Sequence, residues 1–202
     1  MFDIKLYRKT VMACTFCKDT GENYHPVPRY GTGSKADLMI INGVPPQDPM
    51  RSLHGAFMIH YKNPADGWVE KIVRDLILEE FNGRPIWATN AVKCPTYNDA
   101  DPMRLGMQNR CANKWLKWEI DEINPTIIIT FGEVARDALT MAIKANRTMG
   151  DRFERFYVGT SIEHVIDMFY IDDRTIISAP FPEEKILDRW NTVIRHAIWS
   201  TK

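Results

Sequence analysis

Cysteine is scarce in this chain, which holds four among 202 residues. That is too few for a fold stapled by disulfides. Long apolar runs are missing as well, and none approaches the roughly 20 residues of a membrane-spanning helix. The opening Met1-Phe2-Asp3-Ile4-Lys5-Leu6 lacks the apolar stretch of a secretory signal. A reducing, cytoplasmic setting without a membrane partner is therefore expected, and there thiols serve metals more readily than disulfides. Net charge is absent too: 26 Lys and Arg balance 26 Asp and Glu, so no global field points to a nucleic-acid partner. No internal repeat or low-complexity tract is present. What remains is an ordinary globular composition, 45% hydrophobic and 26% charged, in a chain long enough to bury one full core.

The four cysteines carry the strongest signal. Cys14 and Cys17 form a Cys-x-x-Cys, Cys94 closes Thr89-Asn90-Ala91-Val92-Lys93-Cys94, and Cys111 lies in Asn109-Arg110-Cys111-Ala112. The close pair can bring two soft thiolates to one centre, and two distant partners can complete a set of four. Thiolates favour soft or borderline metals, so the set suits zinc or an iron–sulfur cluster, and spacing alone does not choose. Disulfides, or cysteines serving as small core residues, are the competing readings.

Charge is unevenly spread. Residues 1–35 carry six basic side chains (Lys5, Arg8, Lys9, Lys18, Arg29, Lys35) against three acidic ones (Asp3, Asp19, Glu22). The segment Lys144–Arg155 adds Lys144, Arg147, Arg152 and Arg155 against Asp151 and Glu154. Either patch can meet phosphates, and either can equally be a solvated face.

Residues 1–35 read as irregular, rich in Gly, Pro and polar residues. Ala36–Asn42 is a short apolar run that predicts a buried strand, followed by a long loop over residues 43–66. Gly67–Phe81 has apolar residues at four-residue spacing, which predicts a helix closed by Asn82-Gly83. Pro85–Asn90 predicts a second strand, and Leu105–Ile123 a helix with Trp115, Leu116, Ile120 and Ile123 facing inward. Thr126–Phe131 is fully apolar and β-branched, as buried parallel strands are. A helix over Glu133–Lys144, a strand over Thr175–Ala179 and an amphipathic helix over Glu183–Trp199 complete the pattern, while Phe153–Ile171 gives mixed signals. The alternation predicts an α/β fold of one domain. A central, mostly parallel four-stranded sheet should lie between helices on both faces, a three-layer α/β/α arrangement with an N-terminal segment bearing two cysteines. In such sheets ligands gather at the carboxyl ends of the strands. Those ends carry Asn42-Gly43-Val44-Pro45, Asn90, Phe131-Gly132 and Ala179-Pro180-Phe181.

Together these residues resemble the iron–sulfur uracil-DNA glycosylases, the family-four type of the uracil-DNA glycosylase superfamily. That family's Gly-x-Gly, strand, Gly-Glu-Ala-Pro-Gly is echoed from Gly31-Thr32-Gly33 through Leu38–Asn42 to Gly43-Val44-Pro45-Pro46. Its Gly-x-Pro-Phe is echoed by Gly55-Ala56-Phe57, and its Thr-Asn-x-Val-Lys-Cys is matched at every position by Thr89–Cys94. Its next helical cysteine matches Cys111, and its Pro-strand-Leu-Gly-x-x-Ala resembles Pro125 through Ala135. The resemblance covers nearly the whole chain. It implies a [4Fe-4S] cluster on Cys14, Cys17, Cys94 and Cys111, with zinc as the alternative, and a pocket in which Phe57 stacks on an extruded base while Asn90 reads its edge. DNA, single- or double-stranded, is the implied partner, and a protein partner is the other.

Departures from the family pattern bear on the chemistry. Gly43 stands where the family has its water-activating carboxylate, and Ser178-Ala179-Pro180-Phe181-Pro182 stands where it has His-Pro-Ser. A positioned acid or base contributes about a hundred- to ten-thousand-fold in rate. Uracil excision is therefore expected to be weak or altered, with a catalytically silent DNA- or protein-binding member as the alternative. Asp48 and His54, with Glu183 and Glu184, are the candidates to substitute from nearby loops, and each reads more simply as an exposed loop or first-turn residue. The expected binding residues are Asn42, Gly43, Pro45, Phe57, Asn90, Ala179, Pro180 and Phe181, with Arg152 and Arg155 for phosphates.

Overall fold

The computed structural model describes residues 3–17, 30–31, 35–44, 85–94, 102–143, 153–160, 164–171, 173–180 and 186–200. The expected helix Gly67–Phe81 and the loop beyond Val44 lie outside the described residues.

Seven strands form one sheet: β1 (Tyr30–Gly31), β2 (Leu38–Asn42), β3 (Ile86–Asn90), β4 (Ile127–Phe131), β5 (Phe153–Tyr157), β6 (Val165–Ile171) and β7 (Arg174–Ala179). Their order is β1-β3-β2-β4-β7-β6-β5. The central four, β3, β2, β4 and β7, are mutually parallel, and they are the four strands expected from apolar runs. In β4, Ile127-Ile128-Ile129-Thr130-Phe131 is buried along its whole length, as a strand covered on both faces requires.

The sheet is wider than the four strands anticipated. β6 pairs antiparallel with β7 and β5 antiparallel with β6, while two-residue β1 pairs antiparallel with β3. In β5 burial alternates between half-buried and exposed residues, which gives no continuous apolar run. That pattern is the reason the hairpin reads as mixed signals in the sequence.

Helices cover both faces. On one, Met39, Ile41, Trp87, Ile128 and Ile176 pack against a long helical rod and its neighbours. The rod runs as α2 (Pro102–Cys111), a five-residue π-helical segment (Ala112–Leu116) and α3 (Lys117–Ile123). Asn124 closes it in the left-handed conformation at φ 50°, ahead of Pro125. α4 (Gly132–Ile143) packs beside the rod. On the other face, Leu38, Ile40, Ile127, Ile129, Phe131 and Ile177 meet Trp190, Ile194, Ala197 and Ile198, which come from α5 (Leu187–Trp199). Each Leu, Ile, Met or Phe among them taken fully out of water contributes roughly 1.5–3 kcal/mol.

The N-terminal segment is not irregular throughout. Ile4–Met12 is a helix, α1, whose Asp3 cap accepts hydrogen bonds from the backbone N–H groups of Lys5 and Leu6 at 2.9 and 3.0 Å. Tyr7 and Val11 are buried on its inner face and Ile4 packs against the same core. The N-cap Asp followed by apolar residues at i, i+3 and i+7 is the signal that marks it. Among the described residues no helix is long and apolar enough to cross a membrane.

Candidate strand-end site and thiolate centre

Side chains alternate between the faces of a strand, so residues two apart share a face. Ile40 and Asn42 on β2, Ala88 and Asn90 on β3, Ile129 and Phe131 on β4, and Ile177 and Ala179 on β7 therefore point toward the α5 layer. Asn42 is the register partner of Asn90, and Phe131 is the partner of Ala179. Ile41 pairs with Thr130, so Asn42 stands level with Phe131. The result is one row across the carboxyl ends of the four parallel strands: Asn90, Asn42, Phe131, Ala179.

Asn90 is the unusual member. It is 1% exposed, and neither Oδ1 nor Nδ2 has a hydrogen-bond partner among the described residues. Leaving a buried polar group unpaired costs about 1–3 kcal/mol, and a primary amide offers both donor and acceptor. Such a group suits a ligand edge with the reciprocal pair. At the other end of the row, Trp190 stacks on Phe131 with ring centroids 5.7 Å apart, and its Nε1 donates to the carbonyl of Pro180 at 3.2 Å. This stack fixes the chain just beyond Ala179. Trp190 was not among the residues expected at the site, because the helical pattern of α5 assigns it only to the core.

Gly43 is buried and its backbone is not left-handed; among the described glycines only Gly132, which turns β4 into α4, has positive φ, at 77°. A Cβ at Gly43 would lie 3.2 Å from Cβ of Val134. The chain after β3 continues the ladder beside it. Ala91 N–H donates to the Asn42 carbonyl at 2.7 Å and Val92 N–H to the Gly43 carbonyl at 2.9 Å. These bonds carry the chain directly from the row to Cys94.

None of the four cysteines forms a disulfide; Cys17, Cys94 and Cys111 are buried and Cys14 is partly so. Burial raises the Cys94 thiol pKa most, and Cys111, Cys17 and Cys14 raise it further by their negative charge when ionised. The Cys111 thiol is pushed up to about 11, chiefly by burial, against the lowering effect of the Lys93 backbone N–H and the Lys93 charge. The thiols thus share one electrostatic neighbourhood. Among the described residues, however, no three Cys, His, Asp or Glu side chains form a group that could hold one metal ion. The two observations differ in range, since charge acts well beyond coordination distance. The donor set itself fits a group held by four thiolates: soft, matched in number and drawn from three segments.

Beside the thiols lies a buried ion pair that the sequence reading missed. Lys93 Nζ is 2.7 Å from Glu119 Oε1, with side chains 1% and 0% exposed. Glu119 falls on the same apolar stripe as Trp115, Leu116 and Ile123, and a lone carboxylate on such a stripe is the signal that could have found it.

Pro45, Asp48, His54, Phe57, Arg152 and Phe181 lie outside the described residues. Arg155 is described, and it forms a two-pronged bond across the β5–β6 hairpin. Its Nε and Nη2 reach Asp167 Oδ1 and Oδ2 at 2.7 and 2.9 Å. That bond, first, and the Asp167 charge, second, raise the guanidinium pKa. No protein-family model and no curated protein matches this chain.

Proposed function

We propose that this chain is a uracil-DNA glycosylase-like iron–sulfur protein that binds DNA and reads a pyrimidine-type base, with weak or altered base-excision activity. The buried amide of Asn90, without a hydrogen-bond partner among the described residues, carries the reading. A pyrimidine edge with adjacent acceptor and donor can satisfy Oδ1 and Nδ2 together, and a base extruded from the stack presents that edge. The position of Asn90 at a strand carboxyl end, and the resemblance of its motif and of the cysteine set to the family, support it.

Cys14, Cys17, Cys94 and Cys111 would hold the cluster. Bound there, it supplies a structural cross-link between the N-terminal segment, the sheet and the helical rod, since four thiolates fill its coordination.

The row's other members decide the expected rate. Cleavage of a glycosidic bond leaves cationic character on the sugar and negative charge on the departing base. Gly43 offers no carboxylate for the first and Ala179 no donor for the second. Asn90 can still orient the base, and the Trp190–Phe131 stack can fix the strand-end wall of the pocket. Losing one charge-stabilising donor typically costs about a hundred- to a thousand-fold. Because Gly43 and Ala179 are both buried and both lack a catalytic group, a silent DNA- or protein-binding role is the second reading.

Single-turnover incubation of excess protein with uracil-containing single- and double-stranded DNA tests the assignment. Binding with slow or no uracil release is expected. Rapid release would show that another residue supplies the chemistry, and no binding to any nucleic acid would overturn the reading.

A further inference from the structure

Nothing in base reading or thiolate ligation accounts for the Lys93–Glu119 pair. Two opposite charges taken wholly out of water lose hydration that their attraction alone need not restore. The pair persists because every bond around it is made. The three protons of Lys93 Nζ have three acceptors: Glu119 Oε1 at 2.7 Å, Thr89 Oγ1 at 2.6 Å and the Asn90 carbonyl at 2.7 Å. Glu119 Oε1 also accepts from the Tyr7 hydroxyl, and Oε2 accepts from Trp87 Nε1 at 3.4 Å. The Tyr7 ring packs among Trp87, Trp115 and Trp118, with centroids 6.0, 6.5 and 5.3 Å away.

The members belong to the three cysteine-bearing segments. Tyr7 lies on α1, which leads into Cys14 and Cys17. Lys93 adjoins Cys94. Glu119 lies on α3, in the same helical rod as Cys111. We propose that the Lys93–Glu119–Tyr7 network is a positioning clamp for the four-thiolate set, and that its two buried charges tune the reduction potential of the cluster held there. The proposal rests on the iron–sulfur reading above. A bound cluster with four thiolates is anionic, and adding one electron makes it more so. A buried cation nearby favours the reduced form, and a buried anion disfavours it.

The two charges thus predict shifts of opposite sign, which a purely structural role does not. The test uses the full chain reconstituted with iron and sulfide. The midpoint potential of the one-electron cluster couple is measured by mediated titration, read by electron paramagnetic resonance, for the parent, Glu119→Gln and Lys93→Met. Glu119→Gln, which keeps shape and one oxygen acceptor, should raise the potential. Lys93→Met should lower it. Each shift should correspond to about a tenfold change in the reduction equilibrium, or about 59 mV for one electron. Shifts of the same sign, or no shift, would overturn the proposal. If Lys93→Met does not fold, Glu119→Gln decides alone: a raised potential supports tuning, and an unmoved or lowered one refutes it. A parent protein that takes up zinc and no iron refutes the iron–sulfur reading itself, an outcome distinct from any pattern of potentials.

Discussion

Asn42 and Asn90 face each other in register at the carboxyl ends of adjacent parallel strands, and backbone bonds run from their end of the sheet toward Cys94. The proposed base recognition and the proposed thiolate ligation would therefore share one short stretch of backbone.

Asn90 should behave as a residue kept at the expense of stability. Replacing it by Leu removes, at similar volume, two polar atoms that have no hydrogen-bond partner among the described residues, so stability in denaturant should be unchanged or rise by up to about 1–3 kcal/mol. Affinity for a uracil-containing oligonucleotide should fall at least about tenfold, or about 1.4 kcal/mol. Chemical denaturation and fluorescence anisotropy on the same preparations check both. A destabilised variant with undiminished binding would assign Asn90 to the core alone.

Gly43 can carry a side chain, since its backbone is not left-handed. The obstacle is Val134, 3.2 Å from the site of a Cβ. Gly43→Glu with Ala179→His should raise single-turnover uracil excision above the parent, and adding Val134→Ala should relieve the crowding and improve the yield of folded protein. Excision rate and thermal midpoint are the readouts. No gain in a folded triple variant would count against the placement of the missing groups.

Serine at Cys94 or Cys111 should abolish the brown colour and the stoichiometric iron expected of the parent after anaerobic purification, and should lower the thermal midpoint. Metal occupancy is coupled to folding when the ligands come from separate segments. Iron, sulfide and zinc analysis with visible absorption decides. A colourless parent with stoichiometric zinc would replace the cluster by the alternative metal.

Trp190 supports the far end of the row. Trp190→Phe keeps the stack on Phe131 and loses the bond to the Pro180 carbonyl, a loss of about 0.5–1.5 kcal/mol. Trp190→Ala empties a fully buried volume and should cost about 3–5 kcal/mol. Denaturant midpoints at constant slope measure each.

Arg155 is committed to Asp167, so its charge is partly spent within the hairpin. Asp167→Asn should strengthen DNA binding and steepen its dependence on salt, while Arg155→Ala should weaken binding similarly across sequences. The slope of log affinity against log salt separates these outcomes from a change in base reading.

The parallel heart of the fold was legible because Ile40-Ile41 and Ile127-Ile128-Ile129 form uninterrupted apolar runs, and strands buried on both faces leave that trace. Their carboxyl ends followed from topology, which brought Asn42, Asn90 and Ala179 into the candidate site. The β5–β6 hairpin left a weaker trace because β5 alternates exposed with half-buried side chains and most of β6 is only half-buried. α1 was obscured by Lys5, Arg8, Lys9 and Thr10 on its outer face, although Asp3 and Tyr7 mark its start and its buried stripe. The Lys93–Glu119 pair was illegible for another reason. Its residues are 26 positions apart, and neither neighbourhood indicates that the two charges meet.

The reach from Tyr7 to Glu119 sets an order for biosynthesis. The two partners are 112 residues apart, so α1 leaves the ribosome long before its carboxylate exists. At about 5–20 residues per second that interval is roughly 6–22 s. For most of it Cys14 and Cys17 are already made, while the rod that bears Cys111 and Glu119 is not complete. A nascent chain thus offers two thiols to its surroundings before it can offer four, and under the proposed iron–sulfur reading assembly on all four would have to await translation of Cys111 at the end of α2.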